Sequence, residues 1–169
     1  MGKTPTVDAP DRGGVADGPD ALGYLLRQAS AAHRLRMERA LADIEVTPPQ
    51  FLVLTLLASH PGASNAELAR IAALSTPTVS VIVANLLRIR ALSRRPHAIH
   101  GRVQHLDLTA VGRNLLAACV ERVTAVEIEL AKGLSKPEVG AIRGWLVRTA
   151  RTTAEEARPG RKPGAVQPT

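Results

Sequence analysis

The chain has 169 residues, enough for one domain with its own core and too few for two ordinary ones. Its 45 % hydrophobic content comes from Ala, Leu and Val, with Tyr24, Phe51 and Trp145 the only aromatics, which favours packed helices over an aromatic-rich sandwich. The opening MGKTPTVDAPDRGG lacks the apolar segment of a signal peptide and no apolar run reaches the ~18 residues that span a bilayer, so a cytoplasmic protein is expected, and its formal charge of +7 points to a polyanionic partner.

Residues 1–18 are rich in Pro, Gly and Asp, and residues 158–169 read RPGRKPGAVQPT. Neither carries enough apolar surface to offset the entropy of ordering, so both are expected to be disordered tails, the second one basic, around a single domain over residues 19–157. A first helix is expected over residues 20–45. Thr47-Pro48-Pro49-Gln50 has the form of a capping box, in which the hydroxyl accepts from the third residue's N–H and the Gln or Glu reaches back, and it predicts a helix over residues 48–59. His60-Pro61-Gly62 ends that helix, and Ser64-Asn65-Ala66-Glu67 opens the next over residues 64–71. Ser75, followed by Thr76-Pro77, caps a fourth helix over residues 75–89.

The helical rhythm then breaks. Residues 92–96 are a short apolar-to-basic segment and residues 103–108 alternate with period two, so two strands joined by a loop containing Gly101 are predicted to form a β-hairpin. Thr109 closes the second strand and caps a fifth helix over residues 109–132, and the capping box Ser135-Lys136-Pro137-Glu138 opens a sixth over residues 135–155. Leu115, Ala118, Cys119, Val126 and Leu130 form one apolar stripe, and Val139, Ile142, Leu146 and Thr149 another.

Helix, short turn, helix and basic hairpin, in that order, make a winged helix-turn-helix, over residues 48–108. In such a unit the second helix lies in the DNA major groove. Val79, Ile82, Val83 and Leu86 supply its inward face, which leaves Ser75, Thr76, Pro77, Thr78, Ser80, Val81 and Asn85 for phosphates and base edges, Asn85 being able to pair with adenine. Between residues 64 and 113 seven arginines stand against two carboxylates, a net +5 in under a third of the chain. Arg94 and Arg95 are placed to neutralise phosphates, and Arg102, beside Gly101 and His100 at the hairpin tip, to enter the minor groove. His97, His100 and His105 lie in one hairpin with no cysteine or carboxylate to complete a tetrahedral set, so they are read as solvated, with neither metal nor other cofactor expected.

From about Asp20 to Arg151 the chain resembles a regulator of the MarR family, on the segments TPPQFLVLTLL, ELARIAALSTPTVSVIVANL, SRRP, HGR and LDLTAVGRNLL. The resemblance implies a mainly α fold with a small β-hairpin wing, in which helices one, five and six (residues 19–47 and 109–157) build a dimerisation part. It implies a homodimeric repressor on a palindromic double-stranded operator, released by a small organic effector bound between the two parts. Two departures stand out: the wing tip reads His100-Gly101-Arg102 where the family commonly has Asp-x-Arg, and Val81 and Asn85 stand where it often has arginines. These shift the expected affinity toward Arg94, Arg95 and Arg102.

The effector site is expected where helices one, two and five converge: His33, Arg36 and Met37, then Phe51 and Leu52, then Leu115 and Cys119. His33 and Arg36 suit the anion of an aromatic carboxylate or thioester, or equally a salt bridge to Glu38, Asp43 or a partner subunit. The dimer interface is expected on Leu22, Tyr24, Leu26, Leu130, Ile142, Trp145 and Leu146. Two other readings are a winged-helix interaction module without an operator and a redox sensor acting through Cys119, the only cysteine. The chain has no P-loop, no dinucleotide fingerprint and no HExxH, and Cys119 has no histidine near it in sequence, so no enzyme is expected.

Overall fold

The computed structural model describes residues 21–96 and 104–156. The two expected tails, and His97, His100 and Arg102 at the hairpin tip, lie outside the described residues.

Six helices and one hairpin follow in the expected order: α1 Leu22–Leu41, α2 Pro48–Ser59, α3 Asn65–Ala72, α4 Thr76–Arg88, β1 Leu92–Pro96, β2 Gln104–Leu108, α5 Ala110–Leu130 and α6 Lys136–Glu156. The capping signals set most of these starts. Thr47 accepts from the Gln50 N–H while the Gln50 side chain accepts from Thr47 N–H, and Ser64 and Glu67 repeat the arrangement. Ser75 and Thr109 accept from the N–H of Thr78 and Gly112. At α6 the Glu138 carboxylate accepts from both the N–H and the hydroxyl of Ser135.

The first helix is shorter than its expected span. It ends at Leu41 and tightens into a 3₁₀ turn, Ala42–Ile44, because Glu45 turns left-handed (φ 53°) and returns the chain so that Val46 is buried.

Among the described residues two apolar clusters join the elements from α1 to α5. The larger joins Val53, Leu54 and Leu57 of α2, Leu68 and Ala69 of α3, Val79, Ile82, Val83 and Leu86 of α4, and Ala91, Leu92 and Leu106 around the hairpin. Burial of each such leucine contributes about 1.5–3 kcal/mol. The smaller joins Met37 and Leu41 of α1 to Val46, Cys119 and Val123, with Phe51 packed against it. Leu115 touches both clusters and so ties the winged unit to α1 and α5.

β1 and β2 pair antiparallel, Leu92 opposite Leu108 and Pro96 opposite Gln104. The second edge of β2 is also covered, since Leu106 accepts from Gly62 N–H at 2.9 Å and donates to Ala63 O at 3.3 Å. His105 is therefore not a solvated wing histidine: it is half-buried against the α2–α3 connection, its Nδ1 bonded to Gly62 O.

The start of α5 is clamped to the end of α4. Thr109 donates its N–H to Ala91 O at 3.1 Å, and its hydroxyl hydrogen-bonds Arg90 O at 2.7 Å and Ala91 O at 3.1 Å. Gly112 is required at the same point, because a Cβ there would sit 2.0 Å from Ala91 O.

Candidate nucleic-acid interface

α3 and α4 are bent 115° apart across the turn Ala73–Ser75, the geometry of a helix-turn-helix. Ala73 makes that turn in the left-handed region (φ 53°), a place that ordinarily favours glycine. Asn65, at the start of α3, donates its side-chain N–H to Ser80 Oγ at 3.1 Å and fixes α4 against α3.

On α4 the four residues expected to face inward, Val79, Ile82, Val83 and Leu86, are all buried. Directly opposite, at helical spacing, runs an exposed ridge of Pro77, Val81, Ala84 and Arg88. Ser75, Thr76 and Thr78 are exposed beside its N-terminal end, while Ser80 and Asn85 are half-buried on its flanks. Ala84 and Arg88 were not among the sequence candidates, although the spacing from Pro77 and Val81 already marked them.

The hydroxyls near the helix start are partly engaged within the chain. Ser75 Oγ accepts from Thr78 N–H at 3.2 Å and lies 2.7 Å from Thr78 Oγ1, and Ser80 Oγ accepts from Asn65. The exposed residues of α4 are the apolar Pro77, Val81 and Ala84 along its ridge, with Thr76 and Thr78 at its start and Arg88 at its end.

Arg94 and Arg95 are both exposed on β1 but do not act alike. Consecutive strand residues point to opposite faces, and Arg95 Nε–H donates to Asp107 Oδ2 at 2.6 Å across the hairpin. That bond holds the Asp107 carboxyl below its ordinary pKa, with the positive charge of Arg95 adding to the effect. The wing base is thus braced by an ion pair that sequence reading left unassigned, though Arg95 and Asp107 sit at a spacing across the expected strands that allowed it. Arg88, Arg90 and Arg94 are exposed and have no carboxylate within ion-pair distance among the described residues.

The residues named for an effector separate into two groups. Met37, Phe51, Leu115 and Cys119 come together in the smaller apolar cluster, whereas Arg36 and Leu52 are exposed. His33 is half-buried, with its Nδ1 shielded from solvent and no hydrogen-bond partner among the described residues. The carboxylates considered as partners for His33 and Arg36 are taken elsewhere: Glu38 by Arg34 at 3.2 Å and Asp43 by Arg122 at 2.6 Å.

The residues named for a dimer interface lie on the outer halves of α1 and α5 and along α6. Leu22, Tyr24, Leu130, Ile142 and Leu146 are exposed, and Leu26 and Trp145 half-buried. No described residue of α6 is fully buried, and none belongs to either apolar cluster. No single helix among the described residues is long and apolar enough to cross a membrane.

A sequence model of the MarR family matches residues 46–102. An HTH-type transcriptional repressor of Mycobacterium bovis is 34 % identical over 126 residues, 74 % of this chain and 89 % of the relative. The transcriptional regulator HosA of Escherichia coli O157:H7 is 32 % identical over 116 residues, 68 % of this chain and 84 % of the relative. Among solved structures, the transcriptional repressor CouR bound to a 23-mer DNA duplex superposes with a TM-score of 0.73 at 28 % identity, covering 77 % of this chain and 92 % of CouR. With a winged helix-turn-helix in place and relatives matched over most of their length, this chain belongs to the MarR family.

Proposed function

We propose that the protein is a transcriptional repressor that binds double-stranded DNA as a homodimer, one winged helix-turn-helix on each half of a palindromic operator. The observation that carries this reading is that Arg88 on α4, Arg90 just after it and Arg94 on β1 are all exposed with no carboxylate partner among the described residues. α4 lies in the major groove with its N-terminal half toward the bases, and the hairpin reaches the adjacent minor groove with Arg102 at its tip. Likeness to a DNA-bound repressor supports the same docking.

Helices α1, α5 and α6 form the dimerisation part. Their apolar surface supports this, since Leu22 is 65 % and Ile128 67 % exposed while no described residue of α6 is fully buried. The spacing of the two α4 helices then matches successive major grooves about 34 Å apart.

A small organic ligand between the two parts releases the DNA by favouring a spacing that no longer fits. The clustering of Met37, Phe51, Leu115 and Cys119, with His33 one turn before Met37 on α1 and its Nδ1 unpartnered among the described residues, supports an apolar pocket with one polar handle for an aromatic carboxylate or thioester. Redox control through Cys119 is disfavoured, because the thiol is fully buried and burial pushes its pKa up.

The test is a mobility-shift titration of the full chain against its own upstream DNA at two salt concentrations, with Arg94→Ala and Arg102→Ala beside the wild type. Saturable binding that beats competitor DNA, falls steeply with salt and weakens in both variants is the expected result. Binding no better than competitor would leave an interaction module without an operator.

A further inference from the structure

Resting on the DNA-binding reading above, we propose that α4 selects its half-site by thymine C5-methyl groups, with Val81 as the specificity-determining residue. The outermost ridge of α4 is Pro77, Val81 and Ala84, three apolar groups in succession, and Val81 is 63 % exposed. One valine on a surface is ordinary; three aligned apolar groups on the ridge of this helix are not.

The polar alternatives on α4 are scarce. Positions 76–87 hold no lysine, arginine or carboxylate, so the helix lacks the forked donor that reads guanine and the acceptor that reads cytosine until Arg88 in its last turn. Ser80 is half-buried with its Oγ accepting from Asn65, and the Thr78 hydroxyl lies against Ser75, which leaves the Thr76 hydroxyl at the first turn as the open short polar group. Among major-groove base edges the only apolar group is the thymine methyl, so an apolar ridge gains contact there and leaves the polar edges of G·C pairs desolvated without partners. Asn85, one turn beyond Val81 on the adjoining flank, supplies the amide that matches an adenine edge. The half-site core is therefore rich in A·T pairs with a thymine under Val81.

The experiment begins by selecting bound duplexes from a random-sequence library with the full-length protein. Each thymine of the enriched duplex is then replaced in turn by uracil, which keeps the base pair and removes only the methyl. Wild type is compared with Val81→Ala, whose folding is checked by thermal melting.

At one or two thymines per half-site, uracil is expected to weaken the wild type about fourfold, the ratio for losing contact with one methyl-sized group. Val81→Ala is expected to show less than half of that discrimination at the same positions. If the library enriches but no uracil substitution matters, if Val81→Ala discriminates as well as wild type, or if the selected core is G·C-rich, the thymine proposal is overturned while the operator reading stands. If no sequence enriches, both are overturned.

Discussion

Arg95 and Asp107 are diagonal neighbours on one face of the hairpin, and the 2.6 Å bond between them joins two residues whose direct opposites are His105 and Ser93. Such a bond ties the two strands together across their described ends. Asp107→Asn and Arg95→Ala are expected to lower the protection of the outer hairpin amides in hydrogen exchange, and the double variant to lower it no further than either alone. Additive effects would show that the two side chains act independently.

The junction of α4, β1 and α5 depends on two residues of the LTAVG segment. Adding a methyl at Gly112 drives it into Ala91 O, so Gly112→Ala is expected to destabilise the protein by about 1–3 kcal/mol. Thr109→Ala removes the N-cap and the bonds to Arg90 O and Ala91 O, and is expected to cost roughly 1–2 kcal/mol. Urea denaturation of the two variants checks both values. Unchanged midpoints would mean that the clamp yields without cost.

Acid should loosen the fold through a defined set of carboxylates. Asp43, Glu67, Asp107 and Glu138 are all held below their ordinary pKa: Asp43 by its hydrogen bond to Arg122, Glu67 and Glu138 by bonds from Ser64 and Ser135, Asp107 by Arg95. A carboxylate with a lowered folded pKa adds stability that is present above its unfolded value, 3.8 for Asp and 4.5 for Glu, and is lost as pH falls through the folded value. Thermal midpoints are therefore expected to stay level with respect to these groups above about pH 5 and to fall below the Glu value of 4.5. The fall should be shallower in Asp43→Asn, which has one fewer group to protonate.

Cys119 packs among Met37, Leu41, Val46 and Val123 with no exposure, and burial disfavours its thiolate. In the native protein it is expected to react with a disulfide reagent far more slowly than in denaturant, and Cys119→Ser should leave DNA binding insensitive to peroxide, as in the wild type. The serine hydroxyl would be buried, at a cost of roughly 1–3 kcal/mol read from urea denaturation. Rapid native labelling would revive the redox reading.

Much of this architecture is local chemistry. Each cap joins a side chain to backbone three residues away, so Thr47, Ser64, Ser75 and Thr109 announced four helix starts without reference to the rest of the chain. The inward face of α4 was equally legible, because Val79, Ile82, Val83 and Leu86 recur at the period of the helix itself. The pairing of the hairpin followed from alternation in its second strand and a turn residue between the strands.

What remained hidden depends on residues distant in sequence. His105 looked like one of three solvated histidines until β2 was laid beside the α2–α3 connection, 43 residues away, where Gly62 O takes its ring nitrogen. The Arg95–Asp107 ion pair came from the strand register, and the Asn65–Ser80 hydrogen bond from the packing of α3 on α4. Periodicity and capping are encoded within a turn or two of chain. The partner of a polar side chain is chosen by the packing of whole elements, and that choice is made only by the tertiary fold.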